Sequence, residues 1–203
     1  MANVSTPFGF RHIGNLEGFA PSYGMSTRKI SSGNGTAIFR GDCVTSLGTG
    51  FITQSTPGST QIAGIFQGCE YLSTSQGIKI RSKYWPGSDA TGDVTAFIID
   101  QPQSTFLTQV NGTPILLASV GLNGQFAQTQ AGNTTTGYSG QQLDTTTNVP
   151  AVTGTFPFRI IRLATDGLLS LLPAGSNGSD NTTNFNMCVV TFNFQDYRST
   201  TGI

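Results

Sequence analysis

Phe185-Asn186-Met187-Cys188-Val189-Val190-Thr191-Phe192-Asn193-Phe194 is the stretch whose pattern decides the fold. Cys188, Val190, Phe192 and Phe194 fall on one face, with Asn186 at its edge. Met187, Val189, Thr191 and Asn193 fall on the other, apolar at first and polar later. A period of two belongs to a β-strand, whose successive side chains point to opposite faces. Upstream, Phe158-Arg159-Ile160-Ile161-Arg162-Leu163 divides the same way, Phe158, Ile160 and Arg162 on one side and Arg159, Ile161 and Leu163 on the other. In Phe97-Ile98-Ile99 the apolar positions are consecutive, which predicts cover on both faces.

Further strands are expected at Ile38–Val44, Gly50–Gln54, Ile62–Leu72, Ile78–Tyr84, Val94–Asp100, Ser104–Val110 and Leu122–Gln128. Their spacing of about ten residues, with turn signals such as Gly33-Asn34-Gly35 between them, is that of a sandwich or barrel. One helical turn is expected at Thr113–Ala118, with Thr113 as cap, Pro114 in the first turn and Gly121 ending the run. A second is expected at Asp166–Leu172, weakened by Gly167. The polar segments 129–148 and 173–184 read as exposed loops. The expected fold is therefore all-β: an antiparallel, jelly-roll-like β-sandwich or barrel over residues 34–203.

Residues 1–33 read differently. Pro7, Gly9, Gly14, Gly18 and Pro21 are too dense for a stable helix, yet Phe8, Phe10, Ile13, Leu16 and Phe19 are too apolar for a solvated tail. Such a segment needs a surface to lie on, its own domain's or a neighbour's. The expectation is an extended N-terminal arm reaching over another protein, with Phe8, Phe10 and Phe19 among its anchors.

Charged residues make up 10% of the chain, against roughly 25% in ordinary soluble domains. The net charge is zero, which gives no electrostatic footprint for nucleic acid or an anionic membrane. No apolar run approaches the roughly 20 residues of a membrane-spanning helix. Cys43, Cys69 and Cys188 are far apart and each adjoins apolar residues, so they read as buried free thiols.

Catalytic chemistry finds little to work with. The one histidine, His12, lies in the Gly-rich arm, and Gly137-Tyr138-Ser139-Gly140 lacks the spacing of a nucleophile elbow. Cys and His are too scattered for zinc, and Asp89-Ala90-Thr91-Gly92-Asp93 lacks the spacing of a calcium loop. No cofactor or metal is expected. Arg40-Gly41-Asp42 spells an adhesion tripeptide, but its place at a strand end reads as a turn. Trp85, before Pro86-Gly87, reads as packing over a turn. Lys79, Arg81 and Lys83 alternate on one strand face, either as a solvated edge or as a patch for an acidic partner surface.

Several segments, taken in order, carry a resemblance. They are Ala2-Asn3 through Thr6-Pro7-Phe8-Gly9, Thr36–Val44, Ile62–Gly68, Val120–Asn123, Thr135–Gly140 leading to Leu143-Asp144, and Phe158–Leu163. Together they resemble the capsid decoration (cement) proteins of tailed bacteriophages, encoded near the major capsid gene. Phe10-Arg11-His12 stands where relatives usually carry Leu and Arg-Pro. The resemblance implies a non-catalytic virion protein on the outer surface of the capsid, bridging major capsid protein subunits. Its expected partners are that protein and other copies of itself, as dimer or trimer, with no nucleic acid and no membrane. Capsid-interface candidates are Phe8, Phe10, Arg11, His12, Phe19, Lys79, Arg81 and Lys83. The alternative is a tail or fibre module binding a host surface glycan.

Overall fold

The computed structural model describes residues 2–18, 24–165, 171–200 and 202. In chain order the strands are β1 (Arg11–Asn15), β2 (Ser26–Ile30), β3 (Cys43–Ser46), β4 (Ile52–Gln54), β5 (Gly64–Leu72), β6 (Lys79–Ser82) and β7 (Val94–Ile99). They continue with β8 (Ser104–Gln109), β9 (Asn123–Gly124), β10 (Phe126–Gln128), β11 (Gln141–Leu143), β12 (Phe158–Leu163) and β13 (Met187–Phe192). Among the described residues there is no α-helix, only a 3-10 turn at Leu117–Ser119.

β13 lies at the centre of a five-stranded antiparallel sheet of order β1-β8-β13-β12-β9, and both its faces are apolar because one meets the second sheet and the other lies under Phe8 and Ile13. Cys188, Val190 and Phe192 join Phe106, Phe158 and Ile160 on the inner face. There they meet Cys43, Ile65 and Ile99 from a second antiparallel sheet, of order β2-β7-β5-β3-β4 with β6 also paired to β5. The molecule is thus a β-sandwich, with a small β10-β11 ribbon beside it.

The second sheet also has a core of its own. Its two ends meet through a parallel bridge between Lys29 and Phe51, so the sheet curls around Ile30, Val44, Phe66, Val94, Ile98 and Trp85. Gln67 is the extra residue of a bulge between Phe66 and Gly68; it shifts the alternation so that Cys69 and Tyr71 join Phe66 on the curled side. Ile98 and Ile99 enter the two different cores, as their consecutive placement requires. Phe97 lies half-buried beneath the Arg81 guanidinium, 5.2 Å from its ring centre. Trp85 is fully buried and donates from Nε1 to the Asn34 carbonyl at 3.1 Å. All three cysteines are free and buried.

The described residues of 1–33 pack on the body rather than standing off it as an arm. β1 pairs with β8 and β2 pairs with β7, so this segment supplies an outer strand to each sheet. Phe10 is fully buried and stacks on Phe158 with ring centres 4.3 Å apart. The preceding residues cross the outer face of the first sheet, where Phe8 and Ile13 pack on Leu107, Met187 and Val189. Asn3 fixes the far end, accepting from Gly178 N at 2.9 Å and donating to the Asp180 carbonyl at 2.7 Å. The surface that the apolar segment requires is its own domain's. An aromatic ring gains more from a dry core already present than from a partner that has to be met.

Other boundaries shift for local reasons. The strand expected at Ile38–Val44 begins only at Cys43, because Gly41 at φ 95° breaks the extended run. Leu122–Gln128 is cut at Gln125, whose buried amide folds back onto Phe126 N at 2.9 Å. Thr113 caps nothing; the turn forms later, without a side-chain cap, while Ile115 is held by two reciprocal bonds with Asn186. The candidate at Asp166–Leu172 lies largely outside the described residues. Residues 139–145 are buried rather than exposed, whereas 131–136 carry the solvent-facing tip.

Candidate functional site

Thr6–Phe10, Phe39–Asp42 and Gly137–Gly140 are far apart in sequence and meet at one joint. Phe10 N donates to the Gly41 carbonyl at 3.0 Å, and Gly41 N donates to the Phe66 carbonyl at 2.8 Å. Arg40 bonds the third segment twice, Arg40 N to the Gly137 carbonyl and Ser139 N to the Arg40 carbonyl, both at 3.0 Å. Gly9, at φ 77°, is required here: a Cβ would sit 2.6 Å from both the Gly41 carbonyl oxygen and Ser139 Cβ. Beneath the joint Asp42 is fully buried and accepts from Phe39 N and Gln54 Nε2, both at 2.7 Å. Its burial removes the acid of Arg40-Gly41-Asp42 from any receptor, in keeping with the reading of that tripeptide as a turn.

A cleft of about 930 Å³ opens beside this joint. Phe8, Arg11, His12 and Ile13 line one wall; Met25, Arg40, Gln67, Tyr138 and Leu171 line the rest, with Phe10 and Ile99 at the core side. A smaller cavity of about 240 Å³ adjoins it across Phe8 and Tyr138. No carboxylate lines either space among the described residues. The Arg40 Nε–H donates to Gln67 Oε1 at 3.2 Å, and Lys83 Nζ stands 5.5 Å from the centre of the Tyr138 ring. Burial lowers the His12 pKa, against hydrogen bonding to Gly14 and Asn15, so the imidazole favours its neutral form.

Two groups that the sequence treats separately are brought together at Tyr138. Phe8, Arg11 and His12 line the cleft, while Lys83 reaches the same tyrosine from the end of β6. Arg81 and Lys79 follow it along that strand, Arg81 over Phe97 and Lys79 paired with Glu70. Among the described residues the other ion pair is Arg28–Asp100 at 3.5 Å, so Arg11, Arg40 and Lys83 form no ion pair, while Arg81 stands opposite Glu70 across the β5–β6 ladder. Phe10 is a core residue that only borders the cleft, and Phe19 lies outside the described residues. Sequence reading missed Arg40, Met25 and Tyr138. Arg40 and Tyr138 sat in short motifs that pointed to other chemistries, and only the chain crossing at Gly9 and Gly41 joins them.

Among the described residues no group of three or more His, Cys, Asp and Glu is placed to hold a metal ion. Cationic heads over apolar and aromatic walls suit an anionic ligand that also carries apolar groups. Comparison of the chain with family models, with curated proteins and with solved structures returned no match.

Proposed function

We propose that this chain is a non-catalytic structural protein of a bacteriophage virion, seated on the outside of the head and bridging major capsid protein subunits. One observation carries this reading beyond the resemblance itself. Thr6–Gly9, Thr36–Val44 and Thr135–Gly140, three of the stretches on which the resemblance rests, converge at the single joint around Gly9, Gly41 and Ser139. Short strings scattered by chance have no reason to pack on one another. A body tied at that joint, with Arg11, Arg40 and Lys83 gathered beside it, suits a protein whose work is adhesion.

Its action would be mass action. A protein that binds the assembled lattice and not the dispersed subunits shifts the equilibrium toward the shell. Many copies on a symmetric surface add avidity, and contacts between copies follow closed symmetry. The test is to assemble heads with and without this protein and heat both. Heads lacking it should form and then rupture at lower temperature. Equal robustness, with loss of host attachment alone, would favour the tail or fibre module instead.

A further inference from the structure

We infer that the cleft beside the Gly9–Gly41 joint is a docking groove for an extended peptide segment of a partner protein, one that alternates carboxylate and apolar side chains. Under the reading above that partner is the major capsid protein, and only this identity rests on that reading.

The charge of the segment follows from how the acids of this chain are used. Asp42 is buried, Glu70 is taken by Lys79, and Asp100 by Arg28. Asp144 is enclosed by its own loop, accepting from Thr146 N at 3.0 Å, Thr147 N at 3.1 Å and Asn148 N at 2.9 Å. Arg11 and Arg40 at the cleft and Lys83 beyond it form no ion pair among the described residues. An acidic segment laid from the cleft toward Lys83 meets all three, and complementary charge of this kind selects the partner and speeds its arrival.

The apolar half follows from the walls. Tyr138, Met25 and Leu171 are 41%, 42% and 40% exposed, with Phe8 and Ile13 half-buried beside them. Purely anionic ligands leave these surfaces wet. Nucleic acid is disfavoured by the apolar lining and by the absence of a net basic charge. The extended form follows from β1, the last strand of its sheet among the described residues, which a partner backbone is able to extend.

The test uses the full chain and a fluorescein-labelled peptide of about twelve residues alternating glutamate with leucine, the length of a strand and its flanks. Counterparts alternate lysine with leucine and glutamate with serine, and a labelled single-stranded oligonucleotide serves as the nucleic-acid probe. The glutamate–leucine peptide should bind saturably by anisotropy and weaken with salt. Arg40→Glu, or Arg11→Glu with Lys83→Glu, should weaken it by about tenfold or more. The exposed pair Arg11 and Lys83 guards against a folding artefact at Arg40, and far-ultraviolet circular dichroism checks each variant. Absence of saturable binding, equal binding of the lysine or serine peptide, tighter binding of the oligonucleotide, or indifference to Arg11→Glu with Lys83→Glu would each overturn the groove. A second arm offers the wild type and the same double variant to phage heads. Wild type and variant retained equally refutes the groove and leaves the decoration reading. A wild type that does not bind heads, yet binds the peptide, does the reverse.

Discussion

Asp42 is fully buried beneath the Arg40–Gly41 turn, where desolvation pushes its carboxyl up to about 6 against hydrogen bonds from Phe39, Ser139 and Gln54. A raised carboxyl contributes stability below its unfolded pKa of 3.8 and loses it as pH rises through about 6. Asp144 runs the other way. Burial would raise it, but donors from Thr146, Thr147 and Asn148 outweigh that and bring it to about 2, so its contribution is lost as pH falls from 3.8. Asp42 should therefore raise the unfolding temperature from pH 7 toward 4, opposed by His12, whose lowered pKa costs stability as pH falls below 6.5, and Asp144 should lower it below 4. Asp42→Asn should flatten the upper limb, which is worth about 3 kcal/mol at one pKa unit per 1.4 kcal/mol. An upper limb with unchanged slope in that variant would show that another group governs it. At Phe10 the expectation is simpler. Phe10→Ala empties a fully buried site stacked on Phe158 and should cost ~3–5 kcal/mol in denaturant unfolding. A loss under 1 kcal/mol, on the order of a surface change, would contradict its place in the core.

Among the elements, β1 and β2 decide what truncation does. Removing residues 2–15 takes away β1, Phe10 and the cover that Phe8 and Ile13 give the first sheet. The remainder should lose cooperative unfolding by calorimetry. A truncated chain with a sharp, near-native transition would restore the separate arm that the sequence suggested. The reasons for that suggestion are physical. Ser26-Thr27-Arg28-Lys29-Ile30 has no apolar residue before Ile30, so there is no period to read, and β2 is recruited by its ladder with β7. Gln141-Gln142-Leu143 read as polar loop because buried amides look like solvated ones. Gln141 Oε1 accepts from Cys43 N at 2.8 Å, and Gln142 Nε2 donates to Gln109 Oε1 and the Val110 carbonyl, both at 3.1 Å. β13 and the Ile98-Ile99 step were legible because their side chains sort cleanly between two faces. β12 was legible as a strand only: a bulge between Ile160 and Arg162 turns Leu163 onto the core face of Phe158 and Ile160, not the opposite face that strict alternation predicts. At the site, Arg11, His12 and Lys83 were legible as residues and not as neighbours. Their meeting depends on Gly9 crossing Gly41, a contact between distant segments that no local pattern encodes.

For the whole molecule, the balance of charge matters more than its amount. Zero net charge gives copies little mutual repulsion, while Arg11, Arg40 and Lys83 at the cleft give each a preferred side to present. A protein so built should attach to heads in a salt-sensitive way, and its release should rise between low and high ionic strength. Attachment indifferent to salt would leave the cationic face without a role. The central claim, that this chain decorates a phage head, is tested most directly by reconstructing purified particles by electron cryomicroscopy and counting its copies against the major capsid protein. The account predicts density for the β-sandwich over the outer shell, in copy number comparable to the capsid protein. A few copies confined to the tail, or none on the particle, would contradict it.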